Sequence, residues 1–153
     1  MKVPLKLCMM MALILPSGLL AQNDNFRLVC PLNEATVALP PKNTIKYDLP
    51  DFCIVLVSIP DTVVKAVYNG KITNIEFDEE GKNGVVMYAK INKQDYYFWY
   101  TGLNKILVHK NETIKAGQSL GFISPGGKIE LLMYQFETPV DPAKYLDCKG
   151  LIK

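Results

Sequence analysis

Between Ile54 and Glu137 the chain never sustains a helical pattern. No segment places apolar residues at i, i+3, i+4 and i+7 over three turns. Instead, short runs of branched and aromatic residues alternate with glycine-rich or polar breaks. That excludes a helical bundle and the long alternation of strand and helix that makes a parallel sheet. It leaves a nearly all-β domain of many short strands. No repeat recurs at a fixed 20–50-residue period. A chain of 153 residues, 49% of them hydrophobic, suffices for one such domain with a sizeable core.

The expected strands can be read in order. "CIVLVSI" (53–59), bounded by Pro50 and Pro60, reads as a buried strand. "TVVKAVYNGKITNIEF" (62–77) reads as a hairpin around Asn69-Gly70, whose turn residues would need positive φ. "DEEGKNG" (78–84) is a polar loop with Glu79 and Glu80 on a solvated turn. "VVMYAKI" (85–91) and "YYFWY" (96–100) are strands around the turn "NKQD". In the second, Tyr96, Phe98 and Tyr100 point one way and Tyr97 and Trp99 the other. Either one set is core and the other exposed, or both are buried between two sheets. "ILVHKNETIKAGQSLGFI" (106–123) gives two short strands around a Lys-Ala-Gly turn at Gly117, with Gly121 letting another backbone approach. "SPGG" is a turn, "KIELLMYQFE" (128–137) a last long strand, and "DPAKYL" one helical turn.

The N-terminus has a different character. Lys2 and Lys6 precede an apolar run from Leu7 to Leu15, broken by Pro16, Ser17 and Gly18, and Leu19-Leu20-Ala21 offers small-residue cleavage. These are the three regions of a secretory signal peptide, and the run is too short to span a bilayer. Residues 1–21 are expected to be a cleaved leader, 22–50 an extended segment, 51–146 the domain and 147–153 a tail. Lys2 and Lys6 are the leader's only charges, so of 17 Lys and Arg, 15 remain to balance 15 Asp and Glu. A neutral surface excludes nucleic acid as a partner. Cys30, Cys53 and Cys148 remain after cleavage, and in an oxidising compartment one pair can bridge, in a pairing that spacing does not choose.

Three stretches carry a family resemblance: "DTVVKAVYNGKI" (61–72), "YTGLNKILVHKNETIKAGQSLGFI" (100–123) and "FETPVDPAKYL" (136–146). In order and spacing they resemble the G-T-P-V-x-A-x-x-D-G-x-V segment, the Y-x-H-L and G-Q-x-I-G segments, and the closing F-E-x…V-D-P-x-x-Y-L of the lysostaphin/LytM-type zinc metallopeptidases, which cut peptide cross-links of bacterial cell walls. The resemblance covers Pro31 to Leu146. It implies an antiparallel β-sandwich of the duplicated hybrid motif (barrel-sandwich) type.

The resemblance also implies a site. Active members hold zinc with the His and Asp of an H-x-x-x-D segment and the second His of H-x-H. Histidines in Y-x-H-L and at the first position of H-x-H handle protons and the oxyanion. Carried onto this chain, H-x-x-x-D falls on Asp51 and Val55, and Y-x-H-L puts Gly102 at its histidine. H-x-H-F-E is expected at Met133 to Glu137, with Met133 and Gln135 in the histidine places. The chain's one histidine, His109, lies outside the pattern, on what reads as a solvent-facing strand. Carboxylate, thioether and amide make a poor zinc site. No metal, cofactor or catalytic residue is therefore expected. Without a usable His no nucleophilic triad forms, and Cys53 reads as a core residue.

The groove of the active enzymes would survive as a binding surface near Tyr100, Gly102, Met133 and Gln135, with Tyr134 and Phe136 on the core side. The implied function is a non-catalytic, exported envelope module that binds a cell-wall hydrolase or a peptidoglycan peptide, with precedent in inactive family members that activate amidases. Its localisation would be the periplasm or cell envelope, or the exterior. The alternative is a zinc metalloendopeptidase with an unusual metal site using Asp51. A biotinyl-type carrier domain with Lys115 at a turn is weaker still.

Overall fold

Branched and aromatic residues set where the strands fall. The computed structural model describes residues 25–38, 52–77 and 83–149. The expected leader, Asp51, Glu79 and Glu80 lie outside them. The strands are β1 (Leu28–Val29), β2 (Thr36–Ala38), β3 (Cys53–Val57), β4 (Val63–Lys65), β5 (Gly70–Phe77), β6 (Asn83–Ile91), β7 (Gln94–Leu103), β8 (Lys105–Ile106), β9 (Thr113–Ile114), β10 (Ser119–Phe122), β11 (Lys128–Gln135), β12 (Thr138–Val140) and β13 (Leu146–Asp147). A 3₁₀ turn at Pro142–Lys144 is capped by Asp141, whose carboxylate accepts from the Ala143 N–H. The expectation of a nearly all-β, mostly antiparallel fold holds.

Two sheets face each other. The larger runs β2-β3-β11-β7-β6-β5-β9, with β12 also paired to β11; the smaller runs β4-β10-β8. The core between them takes Ile54 and Leu56 from β3, Met87 and Ala89 from β6, and Tyr96, Phe98 and Tyr100 from β7. Ile129, Leu131 and Met133 of β11 close it against Val64 and Leu120 of the smaller sheet. The aromatic strand thus splits by parity. Tyr96, Phe98 and Tyr100 are buried, whereas Trp99 is 38% exposed on the outer face.

The expected hairpin at Asn69-Gly70 does not form. Strand β4 pairs with β10 in the smaller sheet, and β5 pairs with β6 and β9 in the larger one, so residues 66–69 cross between sheets. Gly70 does not take positive φ. It is needed because a Cβ there would strike the Tyr88 carbonyl oxygen. Asn69 instead ties the crossing down, its Oδ1 accepting from the Ala116 N–H at 2.9 Å.

The described residues near both ends pack onto the folded body. Leu28, Leu32 and Leu146 are fully buried, β1 pairs in parallel with β13, and β2 is an edge strand of the large sheet. Phe26 stacks on Tyr145 at 4.5 Å. The cysteine pairing resolves as Cys30–Cys148, with Cα atoms 4.9 Å apart and 118 residues between them; Cys53 lies outside the disulfide, on β3.

Candidate functional site

The outer face of the large sheet follows from one alternation. In "KIELLMYQ", Ile129, Leu131 and Met133 point into the core, so Lys128, Glu130, Leu132 and Tyr134 point out. Lys128 and Glu130 are both exposed. They form one wall of a cavity of about 720 Å³. Its floor includes Gly84 of β6 and Thr101 and Gly102 of β7; Glu76 and Phe77 of β5 form the opposite side; Asn83, Asn104, Ser124 and Gly127 frame the rim. The rim is cross-tied. Asn104 Oδ1 accepts from the Ser124 N–H at 3.0 Å, the Asn104 carbonyl accepts from Asn83 Nδ2 at 3.3 Å, and the Ser58 carbonyl accepts from the Gly126 N–H at 3.0 Å.

Gly102 shapes this floor. It sits at φ +96°, and a Cβ on it would strike the Lys128 carbonyl oxygen. The kink also resets the alternation of β7, so that Leu103 returns to the core while Thr101 faces out beside Glu130.

Of the residues expected to line the groove, Gly102 does so and three do not. Met133 is fully buried, because β11 runs in the opposite phase from the one expected. Tyr100 is buried, and its hydroxyl accepts from the Val67 N–H at 2.9 Å. Burial pushes that phenol well above its ordinary pKa, a rise that the Val67 hydrogen bond only partly opposes. Gln135 pairs with Tyr96 and Thr138, further along β11 from the cavity. Phe136, expected in the core, is 67% exposed in the β11–β12 turn at φ +55°. Val55 stands directly across from Glu130, 5% exposed and outside the core cluster. Asp51 lies outside the described residues. His109 is exposed, 3.6 Å from the Glu112 carboxylate and not part of the cavity lining.

Sequence reasoning missed Lys128, Glu130 and Glu76. The signal was present: Lys128 and Glu130 are the charges of an alternating strand, and they keep the i, i+2 spacing sought five residues later.

Zinc fits these residues poorly. Among the described residues no three His, Cys, Asp or Glu cluster together. Glu76 and Glu130 lie on strands separated by β6 and β7, three ladder spacings or about 14 Å, too far to share an ion. Lys128 adds a positive charge to the same wall.

Beyond the cavity the outer face turns aromatic. Tyr88, Tyr97 and Tyr134 stand in one cross-strand row. Trp99 meets Tyr134 edge-on at 5.0 Å, and the Tyr88 hydroxyl donates to Asp95 at 2.7 Å. That bond, more than burial or charge, raises the Tyr88 pKa.

The profile of peptidase family M23 matches residues 53–142. No curated protein sequence matches the chain at a significant level. Among solved structures, Helicobacter pylori Csd3 superposes with TM-score 0.62 at 14% identity, over 79% of this chain and 35% of that one. Lysostaphin, an antimicrobial peptidase from Staphylococcus simulans, gives 0.54 at 21% identity, over 72% and 48%. A zinc-containing peptidase from Vibrio cholerae gives 0.53 at 21%, over 76% and 38%. The chain spans less than half of each of these proteins, and at such identities the likeness is one of fold. With the family profile covering more than half of its length, the chain belongs to peptidase family M23.

Proposed function

We propose that this M23 domain binds in the cell envelope without hydrolysing: a non-catalytic module whose groove takes a peptidoglycan peptide and holds it for other wall enzymes. One observation carries the reading. The cavity that contains Gly102, the place of the Y-x-H-L histidine, presents Lys128 and Glu130 on its wall, with Val55 across from Glu130, and none of these can hold zinc with the others. The cavity is framed by hydrogen-bonded turns and continued by half-exposed aromatic rings of the kind that anchor partners. Export through the leader at residues 1–21 is part of the same proposal. Among the described residues no helix is long and apolar enough to cross a membrane.

The test is incubation of the purified domain with insoluble peptidoglycan. The expected result is co-sedimentation with no release of soluble fragments, with or without added zinc. Release of peptide fragments would contradict the proposal. So would absence of co-sedimentation, and capture of a wall hydrolase in its place would assign the groove to a protein partner.

A further inference from the structure

Lys128 and Glu130 project from the same face of one strand into the same cavity, yet they do not pair. Neither makes an ion pair or side-chain hydrogen bond with any described residue, although their Cα atoms are only about 6.7 Å apart by strand geometry. Some other charges of this face are engaged: Lys90 and Asp95 lie 4.0 Å apart, and Glu76 accepts from Asn74. Two opposite charges thus stand side by side without a side-chain partner among the described residues, over a floor kept low by Gly84 and Gly102.

We infer that this couple recognises a ligand carrying a carboxylate and an ammonium group one strand repeat apart: a peptide that ends in a diamino acid, its α-carboxylate on Lys128 and its side-chain ammonium on Glu130. At the C-terminal residue of a peptide the α-nitrogen is an uncharged amide, so the cation next to the carboxylate has to come from the side chain. The ω-amino group of a diamino acid supplies it. Glu76 on the opposite side leaves the groove with one net negative charge, which favours the ligand that keeps its amine free. Thr101, beside Glu130, and Asn104 at the rim offer neutral hydrogen-bonding groups for the peptide backbone. This inference rests on the proposal that the groove binds wall peptide, and it specifies which end of which peptide.

The experiment uses alanyl-alanyl-lysine with a free carboxylate, its Nε-acetylated form and its C-terminal amide, titrated into the purified chain by calorimetry. The free peptide is expected to bind, and each blocked form to bind about fivefold more weakly or worse, the scale of one partly exposed charge pair. Glu130→Gln should weaken the free peptide to the level of the acetylated one and leave the acetylated one unaffected. Lys128→Gln should do the same with respect to the amide. Both side chains are exposed and unpaired, so both variants should melt with the parent protein. Equal binding of all three peptides, equal weakening of all three by either variant, or absence of binding overturns the inference. Retained co-sedimentation with insoluble peptidoglycan in that case leaves the binding function standing and removes only the charge pattern. Loss of both removes the two together.

Discussion

Glu130 on β11 stands directly across from Val55 on β3, and Thr101 of β7 flanks it on the other side. Between a hydrocarbon and a hydroxyl, this carboxylate has no second strong donor among the described residues with which to enclose a divalent ion. It is also free to meet a cation brought by a ligand. The M23 fold surrounds this spot, and the proposed function rests on the chemistry of the residues there.

The phase of β11 is the first point to test. Met133→Glu puts a charge into the closed core and is expected to cost more than about 3 kcal/mol, enough to unfold much of the protein in a denaturant or thermal melt. Phe136→Gly is expected to be neutral or to stabilise by up to about 1 kcal/mol, since it removes an exposed ring from a left-handed backbone position. The opposite order would place Met133 on the surface and return the groove to that end of the strand.

Gly102→Ala is expected to destabilise by about 1–3 kcal/mol, because φ +96° and the Lys128 carbonyl both exclude a Cβ. An alanine variant as stable as the parent would mean that β7 does not kink here and that Gly102 does not shape the cavity floor.

Tyr100→Phe removes the acceptor of the buried Val67 N–H and is expected to cost about 1–3 kcal/mol in denaturant unfolding. The raised phenol pKa has a second consequence. Its stabilising contribution is complete below the unfolded-state value of about 10 and is lost as pH rises above it, so the parent should weaken in alkali more steeply than Tyr100→Phe does. Parallel alkaline limbs for the two proteins would contradict this.

The disulfide joins the residues that follow β1 and β13 across 118 residues, so its loss mainly frees the unfolded chain. Cys148→Ser is expected to lower stability by about 2–5 kcal/mol while keeping the same sheet signature in circular dichroism. No change in melting would show that β1 and β13 hold without it.

Most of the fold was legible because strand signals are local. The runs 53–59, 85–91 and 96–100 and the turn at Gly117 each follow from a few neighbouring residues. The hairpin at Asn69-Gly70 failed because its dipeptide reports only on the turn. Whether β5 pairs with β4 depends on Tyr88 and Ala116, far away in sequence. The site was misread for a related reason. Phe136-Glu137 is a two-residue sequence match, whereas Lys128, Ile129, Glu130, Leu131 and Met133 form an alternation that fixes which side chains face out. Glu76 was not legible at all, since only the sheet order brings β5 to the cavity's other side.

The most direct test of the central claim is the metal content of the purified chain together with its response to chelator. The expected result is no stoichiometric zinc, a melting temperature unchanged by chelator, and no cleavage of cell-wall peptides when zinc is supplied. One zinc per chain with chelator-sensitive cleavage would contradict the account, and would place a working metal centre in a groove whose described residues cannot form one.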